Sequence, residues 1–204
     1  MKLLFAYICA ALKTIAMISL FDDMSQVTES AVQRMLTLVD TQRCQEALRY
    51  KHLFGQFACL KSWLMLQDLL KPLGIIDLSM GRNAHGKPFL VHHPQVHFNL
   101  SHCQNGLAVA VDFAPVGIDI ERFRAPSLAL LERTMNPAEA EWIRASSDPV
   151  ETFTQYWTRK EAVVKLRGTG ITDELHDILD GNGYRLETHV NRDLRYAWTV
   201  AYSK

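Results

Sequence analysis

The chain has 204 residues, enough for one large domain or two of about 100 residues each. Its 48% apolar and 22% charged content is ordinary for a soluble globular protein, and 22 Lys plus Arg balance 22 Asp plus Glu. That balance excludes a global field suited to nucleic acid or a membrane surface, so any anion must be held by a local cluster.

Met1–Phe21 is apolar with Lys2 near its start, in the manner of a secretory signal. Lys13 interrupts the run, neither apolar half is long enough to cross a bilayer, and no convincing small-residue cleavage site follows. The favoured expectation is a buried first strand over Leu3–Cys9, then a loop or short helix, in a cytoplasmic protein. A targeting segment is the competing one. Cys9, Cys44, Cys59 and Cys103 are scattered, with no C-x-x-C pair, so neither a zinc site nor a disulfide framework is signalled.

After the polar stretch Asp22–Ser25, two helices are expected, over Ser30–Leu38 and Gln42–Leu70. Ser25 or Thr28 would cap the first, and Gly55 would interrupt the second while permitting close packing. Leu48, Phe54, Leu60, Trp63, Leu64 and Leu70 are its core candidates, and Pro72 and Gly74 end it. Residues 74–95 are rich in turns. Gly86-Lys87-Pro88-Phe89-Leu90 reads as a turn entering a short strand. Val96–Leu100 is a strand, Ser101-His102-Cys103 a capping turn, Asn105-Gly106 a hairpin signal, and Leu107–Val111 and Val116–Glu121 further strands. The last three strands read as an antiparallel meander.

Helical structure begins again at Pro126–Leu131. Asn136-Pro137-Ala138-Glu139 is a helix start, with Asn136 as cap and Glu139 three residues on, for a helix to about Ser146. A further helix spans Pro149–Arg167 and stops at Gly168. Phe153, Tyr156, Trp157, Val163 and Val164 mark its buried stripe. Residues 171–180 are ambiguous, and Tyr184–Val190 and Tyr196–Tyr202 alternate as closing strands. The loose recurrence of strand, helices and strands divides the chain near 112–116 into two α+β parts, 1–114 and 115–204.

Two acidic segments carry the chemistry. In Gly117-Ile118-Asp119-Ile120-Glu121 the carboxylates are two apart on a strand, so Asp119 and Glu121 share one face and Ile118 and Ile120 the other. In Trp157-Thr158-Arg159-Lys160-Glu161-Ala162-Val163-Val164-Lys165, Glu161 and Lys165 are four apart on a helix and stack on one face. Taken singly, each set has a plain reading as exposed charges on an edge strand or a solvated helix salt bridge. If helix and strand pack together, three hard oxygen ligands meet, which suits Mg²⁺ and a phosphate-bearing substrate. Lys87 could be a solvated turn lysine, Ser101 and His102 a capping turn, Arg49 and Lys51 a solvated helix face, and Glu139 a capping-box residue. His92, His93, His97 and His102 match no closed transition-metal spacing.

The order of these segments is the stronger signal. Gly86-Lys87-Pro88, Phe98-Asn99-Leu100-Ser101-His102, Gly117-Ile118-Asp119-Ile120-Glu121 and Trp157-x-x-Lys160-Glu161-Ala162-x-x-Lys165 together resemble the 4′-phosphopantetheinyl transferases of the longer, surfactin-synthetase type. The likeness is strongest over residues 86–171. It implies an α+β pseudo-dimer of two similar halves, each an antiparallel sheet packed on helices, with coenzyme A in the cleft between them. It further implies Mg²⁺-dependent transfer of the phosphopantetheine arm of coenzyme A to a serine of an acyl, peptidyl or aryl carrier protein, releasing adenosine 3′,5′-bisphosphate.

By the same resemblance, Asp119, Glu121 and Glu161 are the Mg²⁺ ligands, and Lys165 contacts the pyrophosphate. Lys87, Ser101 and His102 hold the adenosine end, with His102 on the 3′-phosphate. Arg49 and Lys51 serve that phosphate too, although Lys51 stands where arginine is common and lacks its bidentate grip. Lys160 assists phosphate binding, Glu139 helps organise the metal and its water, and Trp157 packs the helix. Glu161, or a metal-bound water relayed by a carboxylate, takes the serine proton. The expected partners are an apo carrier protein and coenzyme A, with no nucleic acid or membrane, and a monomer is expected. Carrier docking is expected around Arg122, Phe123 and Arg124 and on the helix after Pro126. The rival readings are a decayed coenzyme A or nucleotide-binding module and another Mg²⁺-dependent phosphoryl-transfer enzyme; no Walker-type loop supports the latter.

Overall fold

The computed structural model describes residues 16–170 and 175–204. The strand expected over Leu3–Cys9, Cys9 itself and residues 171–174 lie outside that range. The first described strand is β1 (Met17–Phe21), where the sequence predicts a loop or short helix. Helices α1 (Glu29–Leu36), α2 (Thr41–Leu48) and α3 (Leu53–Leu70) follow. Thr28 is the cap of α1, its hydroxyl accepting from the Ala31 N–H. The long helix expected over Gln42–Leu70 is broken at Arg49–His52, not at Gly55. A Cβ on Gly55 would stand 2.7 Å from the Tyr50 ring, so the glycine permits close packing, as expected. Leu48 is the exception among the core candidates: it ends α2 and is 57% exposed, while Leu60, Trp63 and Leu70 are buried.

A short hairpin, β2 (Met80–Arg82) with β3 (Pro88–Leu90), leads to β4 (His97–Cys103) and β5 (Gly106–Asp112). β4 runs on through Ser101 and His102, which are strand residues and not a capping turn. β6 (Val116–Arg122) precedes α4 (Leu128–Thr134), α5 (Pro137–Ala145) and α6 (Pro149–Arg167), and β7 (Tyr184–Asn191) and β8 (Tyr196–Ser203) close the fold. The capping box at Asn136 and Glu139 forms, and Gly168 ends α6 in the left-handed conformation that glycine adopts without strain.

Two antiparallel three-stranded sheets result, ordered β1-β5-β4 and β6-β8-β7. The meander expected over β4, β5 and β6 is therefore interrupted. β4 and β5 pair as a hairpin, but β6 pairs β8 from the far end of the chain. Strand alternation explains the layering. Val109 and Val111 of β5 and Phe98 of β4 face α3, with Phe57, Leu60, Trp63 and Leu66. Ala108 and Ala110 face the other way, into a second core with Ile118 and Ile120 of β6 and Val200 of β8. The order is α3, first sheet, second sheet, α6: an α+β arrangement of two sheet-and-helix halves.

Two contacts fix the halves against each other. Asn99 and Ser101, two apart on β4, reach across to β6: the Ile118 N–H donates to the Asn99 Oδ1 at 2.8 Å and the Ile120 N–H to the Ser101 Oγ at 3.3 Å. Gly117 then lets α6 lie directly on the β6 backbone. A Cβ there would stand 2.1 Å from the Ala162 carbonyl oxygen and 2.4 Å from the Leu166 nitrogen.

Candidate active site

The close approach of α6 and β6 brings the two acidic segments together. Ile118 and Ile120 point into the inter-sheet core, so Asp119 and Glu121 point towards α6. Asp119 is 2% exposed. Its Oδ1 accepts from the Lys165 ammonium at 2.5 Å and from the Ser101 hydroxyl at 2.9 Å. Lys165 also donates to the Ser101 Oγ at 2.9 Å. Glu121 accepts a long hydrogen bond, 3.4 Å, from the Trp157 indole N–H. Trp157 packs the helix by stacking on Phe153, and it also holds this carboxylate.

The electrostatics show that the three carboxylates share one site. Burial, then the Asp119 carboxylate, pushes the Glu121 pKa up to about 7, and Glu161 adds a smaller push. The Glu161 pKa is raised by burial and by Asp119, with Lys165 opposing. Asp119 Oδ2 and Glu161 Oε1 are buried oxygens without a hydrogen-bond partner. Unpartnered buried acceptors are costly, so these two oxygens mark the cluster as a candidate ligand site. Among the described residues no group of three or more His, Cys, Asp or Glu side chains is already posed as a metal cage. Lys165 supplies the positive charge that balances Asp119.

The other residues singled out in the sequence divide into those at this site and those elsewhere. Ser101 is inside the carboxylate–lysine cluster. Its O–H donates to Asp119 while its oxygen accepts from Ile120 and Lys165, which saturates the hydroxyl. His102, next on the strand, turns to the opposite face and meets the Phe54 ring edge-on at 5.9 Å, near the start of α3. Its side chain reaches solvent, yet crowding by the protein and then the Lys165 charge lower its pKa. Arg49 and Lys51 are exposed in the segment just before α3, at that same end.

Lys160 and Glu139 lie away from the cleft. Lys160 is 0% exposed and donates to Glu139 Oε2 at 2.7 Å and to the carbonyls of Leu175 and His176 at 2.7 and 2.9 Å. All three ammonium hydrogens are used, so none remains for a phosphate. Glu139 Oε2 also closes the capping box by accepting from the Asn136 N–H. The pair therefore anchors α5 to α6, a structural task beside the phosphate and metal roles expected of the two residues. Lys87 lies between the halves, with its ammonium on three backbone carbonyls.

A cavity of about 240 Å³ opens beside Lys165, lined by Gly86, Lys87 and Pro88 of the first half and Val164, Lys165 and Gly168 of the second. A larger cavity, about 400 Å³, lies elsewhere, around Arg43 and Trp63 in the first half. The smaller one is the candidate cleft, because Lys165, which pairs with Asp119, is part of its lining. Arg43, which stands in none of the sequence motifs, stacks 3.7 Å above the Trp63 ring and pairs with Glu46 at 2.9 Å.

Three carboxylates, Asp119 buried and Glu121 and Glu161 partly so, thus stand with Lys165 at the seam of two sheet-and-helix halves. Residues 115–202 match the family model described as the 4′-phosphopantetheinyl transferase superfamily. A 4′-phosphopantetheinyl transferase of Bacillus subtilis is 29% identical over 68% of this chain and 64% of its own length. One of Bacillus pumilus is 30% identical over 69% of this chain and 63% of its own. A third, of Aneurinibacillus migulanus, is 30% identical over 65% and 57% respectively. The chain is similar to this superfamily over its second half and to these transferases over about two thirds of its length, and it spans less than two thirds of the length of these three relatives.

Proposed function

We propose that the protein transfers the 4′-phosphopantetheine arm of coenzyme A to a serine of an apo carrier protein, leaving adenosine 3′,5′-bisphosphate. The observation that carries this reading is the convergence of Asp119, Glu121 and Glu161 on Lys165 beside the inter-half cavity. The two halves would act as units 1–114 and 115–204, the first walling the cleft and the second holding the carboxylates. The partners would be coenzyme A and the carrier, met by a monomer in the cytoplasm. Among the described residues no helix is long and apolar enough to cross a membrane.

Asp119, Glu121 and Glu161 would hold Mg²⁺. The donor set suits it: carboxylate oxygens are hard ligands, and Asp119 Oδ2 and Glu161 Oε1 lack partners. When bound, Mg²⁺ neutralises charge on the pyrophosphate oxygens. Lys165, one helical turn from Glu161, would leave Asp119 for the pyrophosphate and stabilise the charge that grows on the leaving bisphosphate. His102, with Arg49 and Lys51 near it, would take the 3′-phosphate. Glu161, or a water relayed by one of these carboxylates, would take the proton of the carrier serine. The serine oxygen forms the new P–O bond as the bond to the leaving phosphate breaks.

The test is incubation with coenzyme A, Mg²⁺ and a panel of apo carriers, read by mass spectrometry. One carrier should gain the mass of one phosphopantetheine arm, and Asp119→Ala should cut the rate by about 100-fold or more. Folded protein that modifies no carrier in the panel would overturn the activity. An Asp119→Ala variant as fast as the parent would overturn the site.

A further inference from the structure

The Gly86-Lys87-Pro88 turn belongs to the first half, but its lysine is spent on the second. The Lys87 ammonium donates to the Lys165 carbonyl at 2.6 Å and to the Leu166 and Val116 carbonyls at 3.3 Å each. Two of these acceptors are in the last turn of α6, where carbonyls have no partner within the helix and the helix dipole favours a cation. The third is the first residue of β6. The ammonium's three hydrogens are matched by three acceptors, so none is left for a ligand. Burial lowers the Lys87 pKa, as expected of an ammonium drawn out of water.

A second strut runs beside it. The Asn83 side-chain amide donates to the Gly168 carbonyl at 3.0 Å, while Asn83 Oδ1 accepts from the His85 and Lys87 N–H groups and so shapes the turn. The Lys87 stem lies against Gly168, where an added Cβ would stand 2.9 Å from Lys87 Cδ. The grip falls on the residue that matters for the site: Lys165 gives its carbonyl to Lys87 and its ammonium to Asp119.

We propose that residues 83–87 form a latch from the first half onto the C-terminal turn of α6, with Lys87 a positioning residue that acts through Lys165. The latch fixes the last turn of α6 against the start of β6 and thereby sets where the Lys165 ammonium stands relative to Asp119. Lys87 does not itself hold the nucleotide. The kinetic part of this inference rests on the transferase reading above; the structural part does not.

Two measurements on the full chain separate these parts. In hydrogen exchange, Lys87→Met should speed exchange of the amides of residues 166–168, and Asn83→Ala should do so to a smaller extent. In carrier modification, Lys87→Met should lower kcat roughly tenfold to a hundredfold, the range expected for a displaced catalytic group, with KM for coenzyme A unchanged. Lys87→Arg, whose planar fork can serve more than one carbonyl, should restore part of both. A raised KM with kcat preserved would make Lys87 a ligand contact and overturn the proposal, as would unchanged exchange at residues 166–168 in both variants. Parent protein that modifies no carrier would count against the transferase reading, and the exchange measurement would still decide the latch.

Discussion

The two halves share one topology and use it differently. In each, a first strand is followed by a long helix and then a hairpin whose last strand lies in the middle of the sheet: β1-β5-β4 in one, β6-β8-β7 in the other. The helices are nearly equal, 18 residues in α3 and 19 in α6. Of the buried residues of α3, Ser62 alone is not apolar, whereas α6 buries Glu151, Thr154, Thr158 and Lys160. β1 carries no carboxylate, while β6 carries Asp119 and Glu121. The first half can devote its helix to its own core because it supplies a wall and a latch. The second must hold a charged cluster in register, and it does so by bringing helix and strand backbones into contact. Buried charge thus concentrates in one half, and substitutions that probe it should be unequal between the halves.

The largest inequality is expected at Gly117. Any side chain there would drive β6 from α6, because both nearest atoms are backbone and neither can rotate away. Gly117→Ala should cost about 3 kcal/mol or more, read as a fall in the denaturant midpoint, or should leave no folded protein. Ser19→Ala on β1, the first strand of the other half, should cost well under that. Near-equal effects of the two changes would break the comparison.

The buried pair Lys160–Glu139 should come next. Glu139→Ala leaves an ammonium that is 0% exposed without its carboxylate, a loss of about 3 kcal/mol. Removing both charges, as Lys160→Met with Glu139→Leu, should recover part of that loss, since the desolvation cost disappears with the pair. The recovery would be incomplete, because Lys160 also donates to Leu175 and His176 and Glu139 also caps α5. Folded double variant should still modify carrier protein if the pair is structural, and a catalytic role for Glu139 would predict no activity at all.

Local chemistry made most elements legible in the sequence. Pro149 in the first turn and Gly168 at the end bounded α6, and Asn136 with Glu139 marked α5. The spacing of Asp119 and Glu121 on β6, and of Glu161 and Lys165 on α6, was sufficient to place the cluster once the two elements packed. Pairing was harder to read. Adjacency in sequence favoured β6 beside β5, whereas β6 takes β8 as its partner and meets β4 through side chains. A signal for that seam was present: Asn99 and Ser101 alternate with Phe98 and Leu100, so small polar residues share one face of an otherwise apolar strand. The lysines were least legible. Lys87, Lys160 and Lys165 all stand in the motifs, but a long flexible stem leaves the direction of the ammonium open until nearby carbonyls and carboxylates are placed.

The smallest expected effect sharpens the comparison from the edge of the first sheet. Cys103 ends β4, faces the inter-sheet core, and is 8% exposed. Burial raises its thiol pKa from the usual 9.0 to about 11, with a smaller push from Glu121 across the seam. An unfolded chain would release this proton from about pH 9 upward while the folded chain keeps it. The contribution to stability is therefore complete below pH 9 and is lost as pH rises towards 11, by about 1.4 kcal/mol at pH 10. Cys103→Ala should flatten that part of the stability–pH curve relative to the parent. In the folded parent at pH 8, Cys44, which is half-buried, should react with a thiol-alkylating reagent before Cys103 does. Equal rates would mean that the sheets part at β4 on the time scale of labelling, and that the seam holding Ser101 to Asp119 is looser than its hydrogen bonds imply.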